Sequence, residues 1–201
     1  MQAQAEQINL RFDFSVTEAT GLLYPDISAL VPLGTGGWFE IGYDTADLPY
    51  LGLGFTRAIN HVVFHTDNYH QEFLSGVAGP GYIGGDNRLR VNSQGDAFFM
   101  TNLAGPFVTG IVQPVEIRAT LDFAETLPNE GATFSRLPSE FTFLGGSFSF
   151  WFGPDTGLLA NTHTLRGPIT NVTTVPEPST LLLIGLGALI YRRAAVARAQ
   201  N

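Results

Sequence analysis

Three of the chain's four histidines, His61, His65 and His70, lie close together and raise the question of a metal site. On a strand, His61 and His65 would share a face yet stand about 13 Å apart, too far to ligate one ion. No Glu follows His61 in the way a helical zinc-protease motif requires. The sequence therefore predicts packed or solvated strand histidines, with no metal and no cofactor. Thiol chemistry is excluded, because the chain has no Cys. A serine nucleophile gains no support either, since Gly145-Gly146-Ser147-Phe148-Ser149 lacks the final Gly of the G-x-S-x-G elbow. Glycoside hydrolysis needs two carboxylates at a set separation. Acids such as Glu40, Asp44, Glu72, Asp86 and Asp96 could be so placed only by the fold, and turn or surface roles explain them more cheaply. Oxygen-rich turns around Asp44 and Asp47, or from Gly84 to Asn87, suit calcium but do not match an EF-hand loop.

The two tryptophans are more distinctive. Trp38 falls on the opposite parity from Phe39, Ile41 and Tyr43, and Trp151 on the opposite parity from Phe148, Phe150 and Phe152. If those apolar sets face a core, both indoles face outward. An outward Trp either stacks on a sugar or partner or is covered by loops.

The elements that must position these residues read as strands. Ile8, Leu10, Phe12, Phe14 and Val16 alternate with Asn9, Arg11, Asp13, Ser15 and Thr17, the pattern of a strand with one buried face. Val115, Ile117, Ala119, Leu121 and Phe123 repeat it against Glu116, Arg118, Thr120 and Asp122. Shorter candidates are Phe39 to Tyr43, Ile59 to His65, Leu89 to Asn92, Ala97 to Asn102, Phe141 to Phe143, Ser147 to Phe152 and Ile169 to Thr174. The 23 Gly and 12 Pro supply turns, and the 16 Phe supply aromatic packing. Many short one-faced strands without long amphipathic helices predict an all-β, antiparallel β-sandwich, of which a jelly roll is one form.

Charge narrows the partners. All ten basic residues are Arg, and the formal net charge is −8. Residues 1–174 hold seven of those Arg against 17 acids, a surface that repels phosphate backbones and argues against nucleic acid.

Composition changes abruptly at Val175. Val175-Pro176-Glu177-Pro178-Ser179-Thr180 precedes an uncharged run, residues 181–191, that ends at Arg192 and Arg193. Pro176 and Pro178 fix their own φ and push the preceding residues out of the helical region, so this stretch is expected to be extended and open to a processing enzyme. Ser179 or Thr180 suits the cap of a helix that is apolar all round, through Leu181, Leu182, Leu183, Ile184, Leu186, Leu189 and Ile190. From Ser179 to Tyr191 it would be about 20 Å long, short of the roughly 30 Å hydrocarbon layer. By length alone a buried or interfacial helix competes with a membrane anchor. Snorkelling by Arg192 and Arg193, extension through Ala194 to Ala197, and the cytoplasmic bias of Arg192, Arg193 and Arg198 favour a short transmembrane helix with the body outside.

The order of these three parts, Pro176-Glu177-Pro178, the Leu/Gly/Ala-rich span and the Arg cluster, resembles the PEP-CTERM sorting signal of bacterial exosortase substrates. The resemblance implies export in a Gram-negative bacterium, retention in the inner membrane by the tail, and recognition by a membrane-embedded exosortase. It also implies association with exopolysaccharide, as for many such proteins. The body is loosely similar to proteins bearing that tail at Phe14 to Thr17, Trp38 to Asp44 and Gly167 to Thr173, a likeness that assigns no activity.

Export also calls for a signal peptide, and residues 1–30 show neither a basic n-region nor an apolar h-region. Ala3-Gln4-Ala5 has the small-x-small form of a signal-peptidase site. The expected organisation is therefore a cleavage-site remnant at 1–5, an extracytoplasmic β domain at 6–174 and a sorting tail at 175–201. A non-enzymatic envelope or matrix protein is the leading expectation, followed by a carbohydrate-binding module and then an extracytoplasmic hydrolase.

Overall fold

The computed structural model describes residues 7–21, 25–44, 55–56, 59–75, 87–91, 94–104, 108, 112–128, 133–134, 136–154 and 162–176. In chain order these form β1 (Gln7–Ser15), β2 (Glu18–Gly21), α1 (Pro25–Leu30), β3 (Gly36–Asp44), β4 (Phe55–Thr56), β5 (Ile59–Thr66), β6 (Tyr69–Ser75), β7 (Asn87–Val91), β8 (Ala97–Ala104), β9 (Val112–Phe123), β10 (Phe143–Pro154) and β11 (His163–Val175). Every pairing among them is antiparallel. The all-β class expected from the alternation is the class observed.

Hydrogen bonding joins the strands into one sheet, in the order β4-β7-β8-β6-β5-β3-β1-β11-β10-β9, with β2 paired to β11. A further ladder joins β9 to β8, so the path β8-β6-β5-β3-β1-β11-β10-β9 returns to its start. The β6–β8 link is short, with Leu74 opposite Ala104 and Ser75 opposite Leu103. Where two packed sheets were expected, the ladders are thus continuous, and the curled sheet faces itself across a filled interior. Alternation reveals which face of a strand is buried but not where a ladder is interrupted, so it could not separate these arrangements.

The interior is aromatic because the strands aim their Phe side chains at one another. Phe12 of β1 stacks on Phe39 of the neighbouring β3 at 4.6 Å and meets Phe99 of β8, across the circuit, edge-on at 5.6 Å. Phe14 reaches Phe148 of β10 at 4.5 Å, and Phe64 of β5 reaches Phe150 of β10 at 4.6 Å. Truncating one such buried ring to Ala costs about 3–5 kcal/mol. Tyr43 is equally buried and donates its hydroxyl to the Phe134 carbonyl at 2.8 Å, tying the segment before β10 to the core.

Two local devices fix the register. In the β9–β10 ladder Trp151 faces Glu116 while Phe152 faces Pro114, leaving Val115 as the extra residue of a bulge. Gly21 has φ +88°, and a Cβ there would fall 2.0 Å from the Thr162 carbonyl oxygen, so only Gly lets β2 end against the start of β11. The helix α1 opens on Pro25 and Asp26, residues suited to a helix start. It buries Ile27 and the following Val31, whose N–H donates to the Ile27 carbonyl at 2.8 Å.

Candidate functional site

Outward side chains of β1, β3, β5, β6 and β11 form a row. Asn171 lies opposite Asp13, Asp13 opposite Trp38, Trp38 opposite His65 and His65 opposite His70. Trp38 therefore points away from the core, as its parity implied. Arg11, two residues from Asp13 on the same face, donates from Nε to Asp13 Oδ1 at 3.0 Å and lays its guanidinium 4.7 Å from the Trp38 ring centre. The other Asp13 oxygen accepts from Asn171 Nδ2 at 3.0 Å. From the β5 side, the His65 imidazole stacks on the indole at 4.9 Å and 28°. Since β1 and β5 flank β3, Arg11 and His65 approach the indole from opposite sides.

The two-residue turn of Asp67 and Asn68 brings His65 and His70 together. Their Nδ1 atoms are 3.1 Å apart, and the rings meet at 70°. Thr66 Oγ1 accepts the Tyr69 N–H at 3.1 Å and closes the turn. Inward-facing Tyr69 packs on Phe64 and Phe152, and burial pushes its phenol pKa well above the usual range. His61 does not join the pair. Its Nε2 lies 3.5 Å from Glu40 Oε1, and its ring occupies the space that a Cβ on Gly42 would take, 2.2 Å from His61 Cε1. Among the described residues no group of three or more His, Asp or Glu is arranged to hold a metal ion.

Trp151 also faces outward, opposite Glu116 on β9 and Thr164 on β11. Arg118 contacts Glu116 Oε1 through Nε and sets its guanidinium 4.9 Å from the Trp151 ring centre. Glu116 and Thr164 are buried although they belong to the outer face. In the next ladder Asn102 lies opposite Glu116 and is also buried, and among the described residues neither its Oδ1 nor its Nδ2 has a hydrogen-bond partner.

The sorting segment begins inside the sheet. Thr174 pairs with Leu10 and Val175 with Asn9, so Val175 is the last residue of β11. Pro176 follows, exposed, and because it has no N–H to offer it ends the ladder. Glu177, Pro178, the apolar residues Leu181, Leu182, Leu183, Ile184, Leu186, Leu189 and Ile190, and the basic residues Arg192, Arg193 and Arg198 lie outside the described residues, as do Ala3 to Ala5, Asp47 and Asp86. Among the described residues no helix is long and apolar enough to cross a membrane.

Sequence reasoning placed Arg11, Asp13, Glu116 and Arg118 on outward faces but could not tell which Trp each would meet. That depends on which strands become neighbours. It likewise missed the His65–His70 pair, whose one available signal was Asp67-Asn68 between two residues of strand-forming type.

A β-rich body thus runs directly into a C-terminal segment of different composition. Residues 174–198 match the family model of the PEP-CTERM protein-sorting motif, a match that begins on the final two residues of β11. Neither a curated protein nor a solved structure matches the chain.

Proposed function

We propose that this chain is a non-enzymatic protein of the envelope or extracellular matrix of a Gram-negative bacterium, displayed outside the inner membrane and processed through its tail by an exosortase. The observation that carries the reading is the sorting-motif match over 174–198. It is supported by a strand that runs to Val175 and a ladder-breaking Pro176 immediately after it. In this reading residues 181–191 insert as a short helix, Arg192, Arg193 and Arg198 hold its far end in the cytoplasm, and residues 176–178 stand just outside the bilayer. Cleavage near Pro178 then releases or transfers a body whose sheet is complete.

Replacing Pro176, Glu177 and Pro178 together by Ala tests this in the native host. Full-length protein should accumulate in the inner-membrane fraction, because insertion survives while recognition is lost. Processing and localisation like wild type would overturn the proposal. Arg192→Glu with Arg193→Glu should instead weaken retention and orientation.

A carbohydrate-binding module is the second reading, favoured by two outward Trp residues that each carry an Arg. It calls for binding of the host exopolysaccharide that Trp38→Ala or Trp151→Ala weakens.

A further inference from the structure

We propose that His65 and His70 form a two-imidazole site for a late first-row divalent metal ion, Zn²⁺, Ni²⁺ or Cu²⁺, on the outer face of the β5–β6 hairpin. The carrying observation is the 3.1 Å between the two Nδ1 atoms. An ion bound about 2.0–2.1 Å from each nitrogen would see them at an angle of about 100°, between the tetrahedral and octahedral values. The pair thus has the bite of two adjacent ligands. In the neutral pair the proton on one Nδ1 lies toward the lone pair of the other; when a metal ion binds, that ring changes to its Nε2–H tautomer by proton exchange with solvent, so that both Nδ1 lone pairs hold the ion and no net proton is released.

Three features make the pair a prepared site rather than a chance approach. His65 and His70 are directly opposite in the ladder, so backbone hydrogen bonding sets their separation. Trp38 stacks on His65 and meets His70 edge-on at 6.2 Å, which restricts both rings. His70 is exposed and His65 half-exposed, so an ion reaches them from solvent and water completes its coordination. Imidazole selects Zn²⁺, Ni²⁺ and Cu²⁺ over Mg²⁺ and Ca²⁺, which prefer oxygen. His61 is excluded as a third ligand by its position over Gly42 beside Glu40.

Trp38 supplies the readout. The full 201-residue chain, free of any affinity tag, is taken in mild detergent with Trp151→Phe, which leaves Trp38 as its one tryptophan. Ni²⁺ should quench most of the Trp38 emission with saturation at one ion per chain, a chelator should restore it, and Ca²⁺ or Mg²⁺ should have no effect. His70→Gln, which keeps a polar side chain on an exposed strand position, should abolish the saturable quench, whereas His61→Ala should leave it intact. Because His65→Ala also disturbs the indole stack, Zn²⁺ calorimetry is used for that variant, and the binding heat should disappear. A quench that grows without saturating, or that is unchanged by His70→Gln, would overturn the proposal. So would Zn²⁺ binding retained in both His variants, or lost in His61→Ala.

Discussion

The outer face of the sheet carries the same three-residue arrangement twice, in two different surroundings. On β1 and β3, Arg11 and Asp13 stand two residues apart with Trp38 opposite the acid; on β9 and β10, Arg118 and Glu116 stand two residues apart with Trp151 opposite the acid. In both, Arg contacts the acid and lies over the indole, at 4.7 and 4.9 Å. The difference is solvent. The Asp13 side chain keeps 34% of its exposure and that of Glu116 only 3%. An exposed pair trades water for a partner at nearly equal free energy, while a buried carboxylate that loses its cation has no water to return to. Similar contacts therefore serve different ends: the β9–β10 copy holds the structure together, and the β1–β3 copy orients Trp38 and through it His65.

The largest expected effect breaks the buried copy. Arg118→Ala should cost roughly 2–4 kcal/mol in urea unfolding, because it takes the neighbouring cation from the buried Glu116 carboxylate. Next, a double-mutant cycle on Arg118 and Glu116, with Ala at each, should return a coupling of about 1–3 kcal/mol, against less than about 0.5 kcal/mol for the same cycle on Arg11 and Asp13. Equal couplings at the two sites would dissolve the distinction. Arg11→Ala alone should then cost under about 1 kcal/mol, part of it lost packing of the side-chain stem on Trp38. The smallest effect concerns salt. Raising ionic strength to about 1 M, where the screening length falls to about 3 Å, should remove the electrostatic part of the Arg11→Ala penalty and leave that of Arg118→Ala largely intact.

Legibility in the sequence followed the regularity of each strand. The inner face of β1 is a clean alternation that made the strand and its buried set readable, although the expected run to Thr17 overshoots its end at Ser15 and the outward-parity Asn9 is buried. By contrast Tyr69 and Phe73 of β6 share their face with Gln71 between them, so the apolar stripe is too sparse to stand out. The first half of β11 was missed because Arg166, Gly167 and Pro168 interrupt the pattern where the strand passes β2 and Ser15. Neither β2 nor β4 is long enough to show a period. For the outward site the parity of both tryptophans was visible, since parity is local. Their companions were not, since Asp13 meets Trp38 and His65 meets His70 only through ladder register. The tail was legible because its signal is compositional and contiguous, and the family match rests on those same residues.

One consequence follows from where β11 ends. It lies between β1 and β10, and its last residue, Val175, is the point at which the tail leaves the sheet. A tether acting on Pro176 therefore pulls along a strand whose last residues, from Ile169 to Val175, pair with β1, and whose first residues, from His163 to Ile169, pair with β10. Such a load is shared among many cross-strand hydrogen bonds at once, where an edge strand would peel away one bond at a time. Under the proposed anchoring, drag on the body loads these two ladders in shear.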